Sequence, residues 1–415
     1  MDSHPQVLVA QIGARIGYGA PLLLHRAGML AHLYVDTYVG RGSPWHMLAK
    51  LVPFIPEAWK LGAIKHLLVR QTAGLPPEVI TAFNLFGLSY ARALRRARDF
   101  TETEQATLGF GNRFCELVLR NKLRDGDAIY AFKNAALPLF QAAEQMGLYR
   151  ILEESGAPTL IYHQLLAEEH RLWPGWESPY PGQEVFQPRI DMDRQEWSLA
   201  DSILCGSTFV AQGLESLGVP PEKIKLVPYG MELSRFASIS PPWDGHRPLR
   251  VLFLGRVSLG KGVQYLYEAL KSLDTPAITA RMVGPISLRE PYRRLLAEHS
   301  ELTGMVPHYE VHQHCHWADL LAFPTICDSF GMVQVEALAA GRPVIATPNA
   351  GSVVRDGVDG FIVPIRDSLA LAQKIDLLAR DPNLLTRMSQ NARERVQEFS
   401  LERYGERLVA AILEE

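Results

Sequence analysis

This sequence predicts an α/β protein of two successive units, each a parallel sheet flanked by helices, on three observations. Compact apolar runs of strand length alternate with longer stretches of helical apolar spacing, the pattern of parallel strands joined by crossover helices. That rhythm breaks once, at LVPYGMELSRFASISPPWDGHRP, where Pro228, Gly230, Pro241, Pro242 and Gly245 interrupt both periodicities, and it restarts at LRVLFLG. At 415 residues the chain also exceeds the length at which one core usually stops growing.

The elements follow in order. QVLVAQIG is an apolar strand closed by Gly13, and PLLLHRAGMLAHL after it has helical spacing. Residues 43–100 read as irregular and helical, with Trp45, Phe54, Trp59 and the cluster Arg92, Arg95, Arg96 and Arg98. Four arginines so spaced cover a helix face, read as solvated in preference to a membrane or phosphate patch. Next come the strand DAIYAF, a helix around Leu137 to Gly147, an apolar strand PTLIYHQ ending near His163, the strand DSILCGS and the helix TFVAQGLESLG. Beyond the junction, LRVLFLG is a buried strand leading through a glycine-rich loop into a helix with Val263, Leu266, Tyr267 and Leu270 on one face. LLAF and PVIA are short buried strands on either side of another helix, and the chain ends in the helical pattern LERYGERLVAAILEE.

Composition narrows the class. With 47% hydrophobic and 21% charged residues the chain is globular, not disordered. The net charge of −3 conceals an asymmetry, since residues 1–100 carry 11 basic against 5 acidic side chains, an excess of 6. No long basic run accompanies it, so an anionic membrane surface is a better-matched partner than nucleic acid. Cys115, Cys205, Cys315 and Cys327 show no short paired spacing, which argues against a disulfide scaffold or a cysteine zinc site and for a reducing cytosol. The start MDSHPQVLVAQIG lacks a signal-peptide pattern, and no apolar window is long enough to span a bilayer.

Two places carry chemistry. In DSFGMVQVEALAAG, Asp328 opens a helix and Glu336 sits inside its apolar part; an unpaired carboxylate there costs several kcal/mol, on the order of other desolvated ions, so a hydroxyl-rich ligand would compensate it. In RVLFLGRVSLGKGVQYLYEAL, Arg256 and Lys261 flank a glycine-rich loop at a helix N-terminus, an anion site suited to a diphosphate. Gly255 to Lys261 also match the first part of a P-loop, but Gly262 stands where that motif needs Ser or Thr for Mg²⁺. Gly13, Arg15, Gly17 and Gly19 form a glycine-rich turn that either is only a turn or lets backbone approach a ligand. His308, His312, His314 and His316 would share a face if the run were a strand, the arrangement of a zinc site.

The block ADLLAFPTICDSFGMVQVEALAAGRPVIATPNAGSVVRDGVDGFIVP, together with LGRVSLGKG and VPYGMELSRF, resembles the signature of retaining, nucleotide-sugar-dependent glycosyltransferases of the GT-B fold, the "group 1" or family 4 set. The likeness covers most of residues 200–400 and is weak over 1–160. It implies two Rossmann-like α/β/α domains facing a cleft, an acceptor-binding one over 1–235 and a donor-binding one over 245–390, with the segment 391–415 returning to the first. It implies that Glu336 binds ribose hydroxyls and that Arg256 and Lys261 hold the leaving diphosphate. Asp328 would approach the donor sugar, and the amides of Phe330, Gly331, Met332 and Val333 would face sugar or phosphate oxygens. His163 would face the cleft as a catalytic residue and Gly13 would approach the donor. The family carries Glu at the first acidic position, where this chain has Asp328. A hexosyltransferase without metal or cofactor is implied, acting on a nucleotide sugar and a saccharide or lipid-linked saccharide acceptor, cytoplasmic or peripheral at the inner membrane face. A phosphotransferase, a non-catalytic nucleotide-sugar-binding protein, an epimerase and a phosphorylase are the alternatives.

Overall fold

The computed structural model describes residues 4–40, 74–236, 243–273, 275–351 and 353–414; Trp45, Phe54, Trp59, Pro241 and Pro242 lie outside them. Two parallel sheets organise the protein. The first contains β1 (Val7–Gln11), β2 (Leu30–Val35), β3 (Ile80–Ala82), β4 (Ala128–Phe132), β5 (Tyr149–Glu154), β6 (Ser202–Cys205) and β7 (Ile224–Leu226). The second contains β8 (Leu249–Leu254), β9 (Ile278–Val283), β10 (Glu301–Gly304), β11 (Leu320–Phe323), β12 (Val344–Ala346) and β13 (Gly360–Ile362). Their strand orders are β3-β2-β1-β4-β5-β6-β7 and β10-β9-β8-β11-β12-β13. β1 and β8 are apolar almost throughout because helices cover both faces, and every residue of β1 is buried.

In both sheets the order reverses beside the first strand, and open α/β sheets bind ligands at the carboxyl ends of strands at such a switch point. β1 delivers the Gly13 loop there and β8 delivers the loop from Gly255 to Lys261. The chain therefore has the two-sheet GT-B architecture, with its two glycine-rich loops each at a switch point.

Three segments fold differently from their sequence pattern. PLLLHRAGMLAHL divides: the helix Gly19–Arg26 stops, Gly28 turns at φ +71°, and Leu30 begins β2. The strand expected at PTLIYHQ is instead YRILEE, β5, while Pro158 precedes a helix over Thr159–Leu172 that contains the whole apolar run. A short run such as TLIY fits either period, and the proline, tolerated at a helix start, decides for the helix. The histidine run is also helical, over Val311–Trp317, so His312 and His314 diverge around the axis, and no cluster of His, Cys, Asp or Glu suited to a metal exists among the described residues.

All four cysteines are buried and free. Among the described residues no helix is long and apolar enough to cross a membrane. Arg92, Arg95, Arg96 and Arg98 are exposed at the end of and just past the helix Asn84–Arg96.

The chain crosses between the sheets more than once. The last helix, Leu401–Leu413, lies against the first domain: the Arg407 guanidinium donates to the Pro228 carbonyl at 2.8 Å, and Lys225 Nζ to the Ala411 carbonyl at 2.9 Å. From the other side, the Thr159–Leu172 helix and the turn Trp173-Pro174-Gly175-Trp176 reach into the second domain. The fully buried Glu169 carboxylate accepts from Gln264 Nε2 at 2.8 Å, Tyr265 OH at 2.9 Å and Arg366 Nε at 2.5 Å. Glu177, also buried, accepts from the Leu259 amide at 2.7 Å, and Trp176 stacks on Tyr292 with ring centroids 4.8 Å apart. Breaking a buried pair on one side leaves the partner charge uncompensated. Glu169→Ala is therefore expected to destabilise the protein by about 3 kcal/mol or more in urea unfolding, against a change within error if the clasp is incidental.

Candidate active site

Both switch points open into one cavity of about 320 Å³, walled by Arg15, Asn134, Thr159 and Arg189 from the first domain and by Lys261 and Asp328 from the second. The second-domain wall starts in the β8 loop. Residues Leu259–Lys261 form a 3-10 turn closed by Gly262 at φ +71°, where a Cβ would lie 1.9 Å from the Pro324 carbonyl oxygen. No side chain fits at position 262, so the loop cannot carry the metal-holding hydroxyl of a P-loop.

Lys261 Nζ forms an ion pair with Asp328 and also lies 3.4 Å from the Cys327 carbonyl. The other Asp328 oxygen accepts from the amides of Gly331 at 3.2 Å and Phe330 at 3.4 Å. Two of the amides expected to face a ligand are thus taken up by Asp328, leaving those of Met332 and Val333 at the start of the helix Met332–Ala339. Gly331 caps that helix at φ +64°, where a side chain would come within 2.8 Å of Gln334 and Phe323. Arg256 begins the same loop but is exposed, 3.4 Å from Ser287 Oγ, and does not line the cavity.

Glu336 lies within that helix and is 8% exposed. No described residue gives it a hydrogen bond; the exposed His308 stands with Nε2 at 3.9 Å from Oε1, and burial and Arg235 lower the basicity of that imidazole. Burial alone pushes its carboxyl up to about 7. The compensating partner that its sequence position demanded is not supplied by the fold.

On the first-domain side, Lys133 is buried with Nζ 2.5 Å from Glu154 and 3.1 Å from Asp193, and Trp197 donates to the second Glu154 oxygen at 2.9 Å. Burial raises Glu154 to about 7 even so. Behind Arg15, Glu153 accepts from the hydroxyls of Tyr130 and Tyr229, and its carboxyl is raised by burial. Across the interface, Ser207 Oγ donates to the Ser329 carbonyl, tying the Asp328 loop to the first domain.

Two sequence expectations change here. His163 is one turn into a helix, buried against the rings of Phe186 and Tyr180 at 4.7 and 5.6 Å, with its basicity lowered by burial; its neighbour Tyr162 lines the cavity in its place. The turn from strand to helix rotated the histidine away. Gly13 spends its amide on Asp36 Oδ1 at 2.8 Å and its carbonyl on Gln11 Nε2 at 2.6 Å, so its backbone stays within the first domain. Asn134, Thr159 and Arg189 were not legible as site residues, because they come from three elements distant in sequence with no shared motif.

Residues 244–395 match the family described as Glycosyl transferases group 1. The chain is related to the group 1 glycosyl transferases. Among curated relatives, the putative colanic acid biosynthesis glycosyltransferase WcaL of Salmonella typhimurium is 29% identical over 53% of this chain and 58% of its own length. A D-inositol 3-phosphate glycosyltransferase of Geodermatophilus obscurus is 32% identical over 54% of each chain. The chain spans about half the length of the curated relatives it matches. Among solved structures, HepE of Anabaena in complex with UDP aligns over 98% of this chain and 99% of its own with a TM-score of 0.61 at 17% identity. Sucrose-phosphate synthase of Thermosynechococcus elongatus aligns over 97% and 96%, with a TM-score of 0.63 at 18% identity. At these identities the likeness concerns the fold, which both share over nearly the whole chain. The group 1 match spans the loop with Arg256 and Lys261, the turn with Asp328 and the helix with Glu336.

A carboxyl held near 7 instead of its ordinary 4.5 contributes stability fully below the lower value and loses it as pH rises through the upper. Glu336→Gln removes that loss. The unliganded variant should be more stable than the parent at pH 8 by about 1–3 kcal/mol, with the difference vanishing near pH 4, as read by denaturant unfolding across pH. Equal stability at pH 8 would show that water or a neighbour already compensates the carboxylate.

Proposed function

We propose that the protein is a retaining hexosyltransferase that moves a hexose from a nucleoside diphosphate sugar to an acceptor hydroxyl, in the synthesis of a cell-envelope polysaccharide or glycolipid. The observation that carries this reading is Glu336, a buried carboxylate without a donor, a helix away from the Lys261–Asp328 pair at the cavity wall. A ribose supplies two hydroxyls to such a group, and the diphosphate then extends toward Lys261, with Arg256 swinging in from the loop edge. The names of the relatives agree: WcaL is named for colanic acid biosynthesis, and a HepE structure holds UDP and glucose.

In this reading the donor replaces Asp328 as the partner of Lys261, freeing Asp328 to accept from sugar hydroxyls. The cations stabilise negative charge building on the leaving diphosphate, an interaction stronger in the transition state than in the ground state. The departing phosphoryl oxygen takes the acceptor proton on the same face, which retains configuration without a protein nucleophile. No metal is required, since the two cations do its work. The blocked position at Gly262 removes the P-loop alternative. The exposed Leu85, Arg92 and Arg96, on one side of the helix Asn84–Arg96, give the first domain a face for anionic lipid, where a lipid-linked acceptor would reside.

UDP-, GDP- and ADP-sugars are the compounds to screen for thermal stabilisation, and one base should stand out. Glu336→Gln should then lose about 2–4 kcal/mol of nucleotide affinity by calorimetry, whereas unchanged binding in a folded variant removes the ribose assignment. Lys261→Ala and Arg256→Ala should lower kcat more than nucleoside affinity, and EDTA should leave turnover intact. Asp328→Glu should leave nucleoside diphosphate binding unchanged while altering the preference among sugars on one base, since a displacement near 1 Å can cost on the order of 10²-fold in rate.

A further inference from the structure

The helix Thr159–Leu172 turns one face to the second domain. On a helix, side chains seven residues apart point within about 20° of each other and those four apart within about 40°, whereas adjacent ones diverge by about 100°. Tyr162, Leu166 and Glu169 therefore share a face from which His163 is turned away. Two of the three are fixed to the second domain. Leu166 lies against Gly260, where a Cβ would stand 3.3 Å from Leu166 Cδ1, and the Glu169 carboxylate accepts from Gln264 at 2.8 Å and Tyr265 at 2.9 Å. The third, Tyr162, is thereby carried to the cavity, which it lines together with Lys261, Cys327 and Asp328.

Its surroundings leave Tyr162 available. The hydroxyl exchanges no hydrogen bond with a described residue, and 38% of the residue's surface stays accessible although protein packs around it, the condition of a side chain projecting into a cavity. Its polar neighbours on the first-domain wall are committed: Arg189 Nε lies 3.0 Å from Glu104, the Thr159 amide donates to Asp193 at 2.9 Å, and Lys133 pairs with Glu154 and Asp193. Arg15 covers the Phe132 ring at the end of β4, with its guanidinium carbon 5.2 Å from the centroid. Burial, with Cys327 and Glu104 nearby, raises the Tyr162 phenol above its ordinary range, so the residue offers a hydrogen-bond donor and an aromatic ring and not a nucleophile. Asp328 offers only acceptor oxygens once a diphosphate takes Lys261 from it. A sugar needs both kinds of partner, and an aromatic face suits its C–H surface.

We propose that Tyr162 is the specificity-determining contact of the first domain with the transferred sugar: its ring packs on the sugar and its hydroxyl donates to a sugar oxygen, opposite Asp328. This rests on the glycosyl-transfer reading and adds the residue that reads the sugar.

The test uses the full chain, without acceptor, and the nucleotide sugar that stabilises it most among the UDP, GDP and ADP conjugates of glucose, galactose and mannose. Calorimetry gives the affinity for that conjugate and for its free nucleoside diphosphate, and the ratio of the two isolates the sugar. Tyr162→Ala should shift that ratio against the conjugate by about tenfold, and Tyr162→Phe, which keeps the ring, by about threefold, the share of one hydrogen bond. Both should bind the free nucleoside diphosphate as the parent does. A site that hydrogen-bonds one hydroxyl discriminates against epimers that misplace it, so Tyr162→Phe should also narrow the spread of affinities among the three sugars on one base. His163→Phe should leave the ratio unchanged, because that side chain faces Phe186 and Tyr180. An unchanged ratio in a folded Tyr162→Ala overturns the proposal, as does an equal loss for conjugate and free nucleoside diphosphate, which would place the residue on the nucleotide, or a shift in His163→Phe as large as that in Tyr162→Ala. Should Tyr162→Ala fail to fold, Tyr162→Phe carries the test, and an unaltered ratio with an unaltered spread overturns the proposal. Absence of stabilisation by every conjugate fails the glycosyl-transfer reading itself, before any variant is made.

Discussion

The geometry of the site depends on one buried interaction, the Glu169 carboxylate held by Gln264, Tyr265 and Arg366 across the two domains. Each sheet presents its ligand-binding end at its own switch point, and neither alone makes a cavity. Three donors around a carboxylate with no solvent exposure fix the helix Thr159–Leu172 against the second domain. Glu177 then fixes the β8 loop through the Leu259 amide, and Ser207 fixes the Asp328 loop through the Ser329 carbonyl. Because charge-assisted bonds of this kind are directional, they set where Lys261 and Asp328 stand relative to Arg15, Arg189 and Thr159.

The same region concentrates groups whose environment opposes their charge. Burial raises Glu336 and Glu154 to about 7 and Glu196 to about 8, although Glu154 has Lys133 and Glu196 accepts from the amides of Asn134 and Ala136 at 3.0 Å. Those two are compensated within the fold and serve to position the Asn134 turn and the Lys133 side chain. Glu336 is the exception, since it has neither an ion pair at contact distance nor a hydrogen bond from a described residue. Leaving that carboxylate uncompensated among the described residues while its neighbours are satisfied costs stability in the empty protein.

The second-domain loop and helix were readable from sequence because their residues are local, although Arg256 falls outside the cavity. Arg256 and Lys261 share one loop, and Asp328 and Glu336 are joined by a single turn and helix, so spacing alone places them. The first-domain wall of the cavity was not, because Arg15, Asn134, Thr159 and Arg189 come from four separate parts of the fold and no periodicity links them. The misreading of PTLIYHQ shows the same limit at smaller scale. Its apolar run satisfies both strand and helix periods, and Pro158 at the helix start together with β5 ten residues earlier leaves the helix as the remaining choice; that choice carries His163 into the aromatic cluster and Tyr162 into the cavity.

By itself the sequence determined the α/β class, the break between two units, the glycine-rich loop after β8 and the demand of Glu336 for a partner, since each follows from apolar period, glycine and proline placement, or the cost of burying charge. Tertiary structure alone decided that Gly262 lies against the Pro324 carbonyl, that Asp328 holds Lys261 and the loop amides, and that the first-domain wall brings Arg15 and Arg189 beside the start of the helix Thr159–Leu172. Those outcomes depend on contacts between residues far apart in the sequence, such as Glu169 and Arg366, 197 positions apart. Such contacts are selected by the burial and pairing of whole elements, which no local pattern encodes.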